Sequence, residues 1–174
     1  VNNEIGSAFL ERDTVTVARE LLGNYLCRCG TASDSTQRWV ITEVEAYDGP
    51  EDKACHAHRG KTPRNAVMFG PAGFYYVYLC YGMHWLLNIV TGPVDYPAAV
   101  LIRGVGAVRG PGRTTKALGV DKTFDQQPVC KQTGLWLEQS ERSLPAEAIQ
   151  ATPRIGIDYA GPIWARKPYR FVID

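Results

Sequence analysis

From Phe69 to Val94 the chain carries no Asp, Glu, Lys or Arg, a stretch long enough to span a bilayer if it were helical. Its punctuation argues against a spanning helix. Gly70, Pro71, Gly73, Gly82, Gly92 and Pro93 interrupt it, and His84 and Asn88 sit in its most apolar part. Tyr75, Tyr76, Tyr78 and Tyr81 favour extended backbone. The pattern predicts two strands, Phe74 to Cys80 and Trp85 to Val90, joined by a tight turn at Tyr81-Gly82-Met83.

Around this hairpin the remaining signals are those of short, mixed elements. Asp13 can cap a helix whose apolar positions Val15, Ala18, Leu21 and Leu22 recur at helical spacing and stop at Gly23. Tyr25 to Cys29 and Trp39 to Tyr47 predict strands on either side of a polar turn at Gly30 to Thr36. Glu51 to Arg64 predicts a loop with at most a short helix. Ala98 to Ile102 predicts a strand ending at Arg103, and Gly110-Pro111-Gly112-Arg113 leads into a short helix toward Leu118. Strands near Trp136 and Tyr169 to Ile173 complete the set. Without regular strand–helix alternation, the expectation is an α+β fold. It is a single compact domain over residues 1–174, with a curved, mainly antiparallel sheet, short helices and a protruding β-hairpin. A chain of 174 residues, 45% hydrophobic, can bury one core of that kind unaided.

The net charge is only +1, but its distribution is uneven. Between residues 53 and 116 lie Lys53, Arg59, Lys61, Arg64, Arg103, Arg109, Arg113 and Lys116 against Asp95 alone. Such a chain can present a basic face to phosphates while staying near neutral overall, or can merely have clustered its solvated cations. The five cysteines are an odd number with no signal-peptide pattern before them, so reduced thiols in an intracellular protein are expected. Cys27 and Cys29 are one residue apart, and no Cys-x-x-Cys occurs. This argues against a structural zinc site and against a zinc-dependent nucleobase deaminase. P-loop, Rossmann and Gly-x-Ser-x-Gly signatures are likewise missing.

The residues that could do chemistry are few. In Glu43-Val44-Glu45-Ala46-Tyr47, strand alternation puts both carboxylates and the tyrosine on one face. That face suits a site that stacks a flat base and activates water beside it, and equally suits an ordinary strand with a polar, solvated side. His56 could be a catalytic group, a ligand or a surface residue. Tyr81 near the hairpin tip, followed by Gly82 and Met83, could wedge between base pairs or simply be a tyrosine in a core hairpin.

The segments gain meaning from their order. Glu45-Ala46-Tyr47, His56, Thr62-Pro63-Arg64-Asn65, Tyr76-Val77-Tyr78, Tyr81-Gly82-Met83, Asn88, Leu101-Ile102-Arg103, Gly110-Pro111-Gly112 and Trp164-Ala165-Arg166-Lys167-Pro168 follow one another along nearly the whole chain. The chain closely resembles the alkyladenine (3-methyladenine) DNA glycosylase family of the mammalian and bacterial type. The resemblance implies that Glu45 is the general base for an attacking water and that Arg103 helps hold that water and the nearby backbone. Tyr47 forms one wall of the base pocket, and His56 with Tyr78 the other. Tyr76 supports the catalytic carboxylate, Asn88 crowds the exocyclic amine of guanine, and Tyr81 fills the gap left by the flipped nucleotide, with Met83 beside it. Arg64, Arg113 and Lys116 are candidates for phosphate contacts, while Glu43 has no assigned chemical role. Two departures stand out: the connection from Arg103 to Gly110 is shorter than in vertebrate members, and the loop from His56 to Thr62 is slightly trimmed.

The implied function is a monofunctional, cofactor-free and metal-free glycosylase of base excision repair. It would act as a monomer on double-stranded DNA containing a damaged purine, without a membrane, in the cytoplasm or nucleoid of a bacterium or in a nucleus. The substrate class is 3-methyladenine, 7-methylguanine, hypoxanthine and ethenoadenine. No second carboxylate suggests itself as the acid for neutral lesions. A non-catalytic module that stacks bases on Tyr76, Tyr78 and Tyr81 is the rival reading, and it leaves Glu45 idle within a phosphate-binding face.

Overall fold

The computed structural model describes residues 3–30 and 35–174. After a one-turn helix, α1 (Ser7–Leu10), comes α2 (Thr14–Leu21). Asp13 starts α2 as expected. Its carboxylate accepts the Thr16 N–H at 2.8 Å and the Thr16 hydroxyl at 2.7 Å, satisfying an amide that the helix start leaves unpaired. The chain continues through β1 (Tyr25–Cys29), β2 (Thr36–Asp48), β3 (Tyr75–Cys80), β4 (His84–Val90), β5 (Ala98–Val105) and β6 (Val108–Arg109). It ends with α3 (Pro111–Leu118), β7 (Leu135–Glu138), β8 (Gln150–Thr152), α4 (Gly161–Arg166) and β9 (Arg170–Val172). Part of the polar turn expected between β1 and β2 falls on residues 31–34, outside the described residues; its last residue, Thr36, already belongs to β2.

Among the described residues, nine strands form one sheet, antiparallel throughout, with a main path β3-β4-β5-β2-β1-β7. β6 pairs with β5, while β9 pairs with both β2 and β8. This is the α+β architecture expected from the short, non-alternating elements. The uncharged stretch folds as the β3–β4 hairpin, and among the described residues no helix is long and apolar enough to cross a membrane. β5 does not end at Arg103. It runs on to Val105 and turns back through Gly106 (φ 53) into β6, so the short connection to Gly110 is a hairpin. α1, β6, β8 and α4 escape sequence reading because each is too short to show a period.

Alternation gives the sheet two apolar faces of different use. Val44 and Ala46 (β2), Val100 and Ile102 (β5), Leu87 and Ile89 (β4) and Tyr75 and Val77 (β3) pack with Leu10, Val17, Ala18 and Leu21 of α1 and α2 into the main core. The intervening residues point the other way. Tyr76, Val90 and Ala99 form a second, smaller core with Cys55, Ala57 and Met68, which seats the loop carrying His56.

One irregularity in β2 decides which face the carboxylates take. Ile41 and Val44 both join the main core, although strict alternation would send them to opposite faces. Register shifts around Glu43, opposite Gly104, absorb the extra residue. Gly104 permits the close approach: a Cβ there would stand 3.0 Å from Glu43 Cβ and 3.1 Å from Thr42 Oγ1.

Candidate active site

The sheet face turned away from the main core floors a cleft of about 960 Å³. Glu45 and Tyr47 of β2, Leu101 and Arg103 of β5, Asn88 of β4, and Tyr76 and Tyr78 of β3 line it from below. His56, Ile155, Tyr159 and the start of α3 stand around it, with Tyr81, Arg64, Arg109 and Arg113 also along its lining. The structure thus gathers most residues singled out by sequence. Met83 and Lys116 are exposed but do not line the cleft.

Glu45 is fully buried. Its Oε2 accepts the Tyr47 hydroxyl at 2.7 Å, its Oε1 accepts the Ile155 N–H at 2.8 Å, and Arg103 Nε stands 3.6 Å from Oε1. Burial, with the Glu45 charge beside it, holds the Tyr47 hydroxyl pKa well above its ordinary value, so this phenol remains a donor. Glu43 is buried too, contrary to the reading of a solvated polar side. Its Oε1 accepts Arg103 Nε at 2.9 Å and Arg170 Nε at 2.7 Å. Burial raises the Glu43 pKa, but the hydrogen bonds from the two arginines outweigh it and leave the carboxyl below its usual value.

The aromatic wall is tied together. His56 lies 4.5 Å, centroid to centroid, from Tyr78, and Tyr78 lies 5.2 Å from Tyr76. The Tyr76 hydroxyl is 3.0 Å from His56 Nδ1. The expectation that Tyr76 supports the carboxylate is corrected here, because the phenol that reaches Glu45 is that of Tyr47. The difference follows from position, since Tyr47 is on the same strand as Glu45 two residues on, whereas Tyr76 is two strands beyond β5. The His56 ring meets solvent along the cleft. Crowding by the cleft walls and then the Arg64 charge lower its pKa below the ordinary 6.5, which favours neutral imidazole. Asn65 holds the loop shut by donating to the carbonyls of His56 and Gly60 at 3.2 and 3.0 Å. Asn88 is buried and donates to the Tyr76 carbonyl at 3.2 Å. Arg64 lies over the Tyr78 ring at 5.2 Å.

At the hairpin tip Tyr81 and Gly82 both have positive φ, 51° and 64°, the combination of a type I′ turn. This conformation is costly for a tyrosine. It leaves Tyr81 88% exposed and Met83 70% exposed.

Sequence reasoning missed the segment from Arg154 to Ile157. The Arg154 guanidinium is bound to Asp52 at 2.5 and 2.9 Å, donates to the Ala46 carbonyl at 2.9 Å and lies over the Tyr47 ring at 4.8 Å. Asp52 in turn accepts the N–H groups of Asp48 and Ala54. This clamp fastens the loop that presents the Ile155 amide to Glu45. No local pattern announces it, although a lone arginine amid apolar residues is a weak signal of a buried pair.

A sequence model of the methylpurine-DNA glycosylase (MPG) family matches residues 8–109 and 105–174. The chain belongs to that family. Among its relatives is a protein of Myxococcus xanthus (strain DK1622), 44% identical over 97% of this chain and 89% of its own length. Another, from Anaeromyxobacter dehalogenans (strain 2CP-C), is 42% identical over 98% of this chain and 83% of its own. A third, from Methanocella arvoryzae (strain DSM 22066 / NBRC 105507 / MRE50), is 42% identical over 94% and 88%. All three are provisionally named 3-methyladenine DNA glycosylase. Membership makes this chain a DNA glycosylase, a hydrolase of DNA repair whose substrate is DNA.

Of the five cysteines, Cys80 lies along the cleft. All five are free. Burial raises the thiols of Cys27 and Cys55 to about 12, so neither is poised as a nucleophile. Cys27 is buried and Cys29 exposed at the end of β1. Among the described residues no three His, Cys, Asp or Glu side chains gather as a metal site.

Proposed function

We propose that this glycosylase flips an alkylated or deaminated purine into the cleft and hydrolyses its N-glycosidic bond with a water activated by Glu45, leaving an abasic site. Alkylation at N3 or N7 makes the base electron-poor and a good leaving group. Walls of Tyr47, Tyr78 and His56 favour such a base by stacking and by cation–π attraction, on the order of 1–2 kcal/mol when desolvated. Extrusion is cheapest for damaged pairs. The substrate class is 3-methyladenine, 7-methylguanine, hypoxanthine and ethenoadenine. 3-Methyladenine is the first to test, because it is the lesion in the relatives' names.

The observation that carries the reading is the setting of Glu45. A carboxylate offers about four acceptor sites, and Tyr47 and Ile155 occupy one on each oxygen. The remaining capacity faces a cleft wide enough for a nucleotide. There Glu45 can take a proton from water and stabilise the sugar cation at C1′. A lyase would use an amine nucleophile, and no lysine is among the described residues that line the cleft. This supports a monofunctional hydrolase over a lyase.

The test is single-turnover excision from a duplex with one lesion, in EDTA, with alkali added afterwards to cut at abasic sites. Cleavage is expected only after alkali. Glu45→Gln keeps the size of the side chain but loses the base, so it should bind the lesion duplex at least as tightly while excising roughly 10²-fold or more slowly. Near-parental excision by Glu45→Gln would sink the assignment of the base.

A further inference from the structure

We propose that Glu43 is a positioning residue that holds Arg103 back from Glu45, so that the catalytic carboxylate keeps an acceptor site for water. The proposal rests on the reading of Glu45 as the base. Arg103 Nε carries one hydrogen, and it is committed to Glu43 Oε1 at 2.9 Å, while Glu45 Oε1 stands off at 3.6 Å. Without Glu43, the nearest anion for that guanidinium is Glu45 itself. A carboxylate in a direct ion pair prefers its charged form and accepts a proton less readily. The arginine that steadies the water would then compete with it.

Glu43 is built to stay where it is. Its side chain is 5% exposed, and the oxygen that binds Arg103 also accepts Arg170 Nε at 2.7 Å. Arg170 is braced from β8, donating to Thr152 Oγ1 at 3.0 Å. The bulge opposite Gly104 brings the β2 backbone close enough for this reach. One anion facing two cations leaves each arginine only part of a counter-charge, which keeps Arg103 near Glu45 without seating it there.

A double-mutant cycle on the full chain, read by single-turnover excision and by lesion-duplex affinity, tests the proposal. Glu43→Gln should slow excision roughly 10- to 10²-fold, the scale of a misplaced catalytic group, with affinity changed less than about 3-fold. In an Arg103→Ala background the same substitution should cost less than about 3-fold, because residues acting as one unit are non-additive. Glu43→Asp keeps the charge for both arginines and should bring the rate back to within about 3-fold of the parent. If the glutamine variant does not fold, the cycle is run with Glu43→Asp, whose loss of about 3-fold must likewise vanish without Arg103. Equal losses with and without Arg103, or parallel losses of affinity and rate, overturn the proposal and leave the reading of Glu45 intact. An active Glu45→Gln enzyme overturns both.

Discussion

Tyr81 is held in a backbone conformation that glycine would adopt more easily, at a cost of about 1–3 kcal/mol for a residue with a Cβ. Its ring is also almost entirely in solvent, so folding alone gives no reason for a tyrosine there. The wedge proposed for the vacated nucleotide position supplies one. Tyr81→Gly should therefore melt no lower than the parent, and higher by up to about 1 kcal/mol of stability, while binding lesion duplex more weakly and excising more slowly. A variant that matched the parent in affinity and single-turnover rate would move the wedge to Met83.

At the scale of elements, the clamp between Asp52 and Arg154 joins two loops that flank the cleft, one carrying His56 and the other Ile155. Both side chains are fully buried, and removing one partner leaves an uncompensated charge. Asp52→Ala should lower stability by about 3–5 kcal/mol, measured by urea unfolding. It should also loosen the Ile155 amide, since Arg154 then keeps its carbonyl contacts to Ala46 and Trp164 and its stacking on Tyr47 and Tyr169 but has lost its carboxylate. A change of less than about 1 kcal/mol would mean that water enters to solvate Arg154, and that the clamp is not what orders these loops.

Over the whole molecule, four arginines gather on one side of the sheet. Arg64, Arg103, Arg109 and Arg113 open on the cleft side. On the opposite face, α1 and α2 bring Glu11 and Glu20 together with Arg12 and Arg19, and Arg12 pairs with Glu20 at 2.6 Å. A chain of net charge +1 can therefore meet DNA with one basic side. Log affinity should fall linearly with log salt, and the Arg64→Ala, Arg113→Ala, Lys116→Ala triple variant should bind more weakly. Its slope should be shallower by roughly 0.9 for each phosphate that the variant no longer neutralises. Lys116 is set back from the cleft, so most of the change should come from the two arginines. An unchanged slope would remove this region from the DNA footprint.

What sequence alone determined was local. The charge-free run with its glycines and tyrosines encoded the β3–β4 hairpin, Asp13 encoded the start of α2, and period-two alternation put Glu45 and Tyr47 on one face. These depend on near neighbours and on steric preferences that act within a few residues. The tertiary structure alone decided that Glu43 would be a buried ion-pair partner, because Arg103 and Arg170 reach it only once β5 and β9 pair with either edge of β2. It decided likewise that Tyr76 would meet His56 and that the amide of Ile155 would cap Glu45 across a separation of 110 residues. Strand order and a one-residue bulge set those contacts, and neither leaves a period in the chain, since each arises from the packing of segments that are unrelated in sequence.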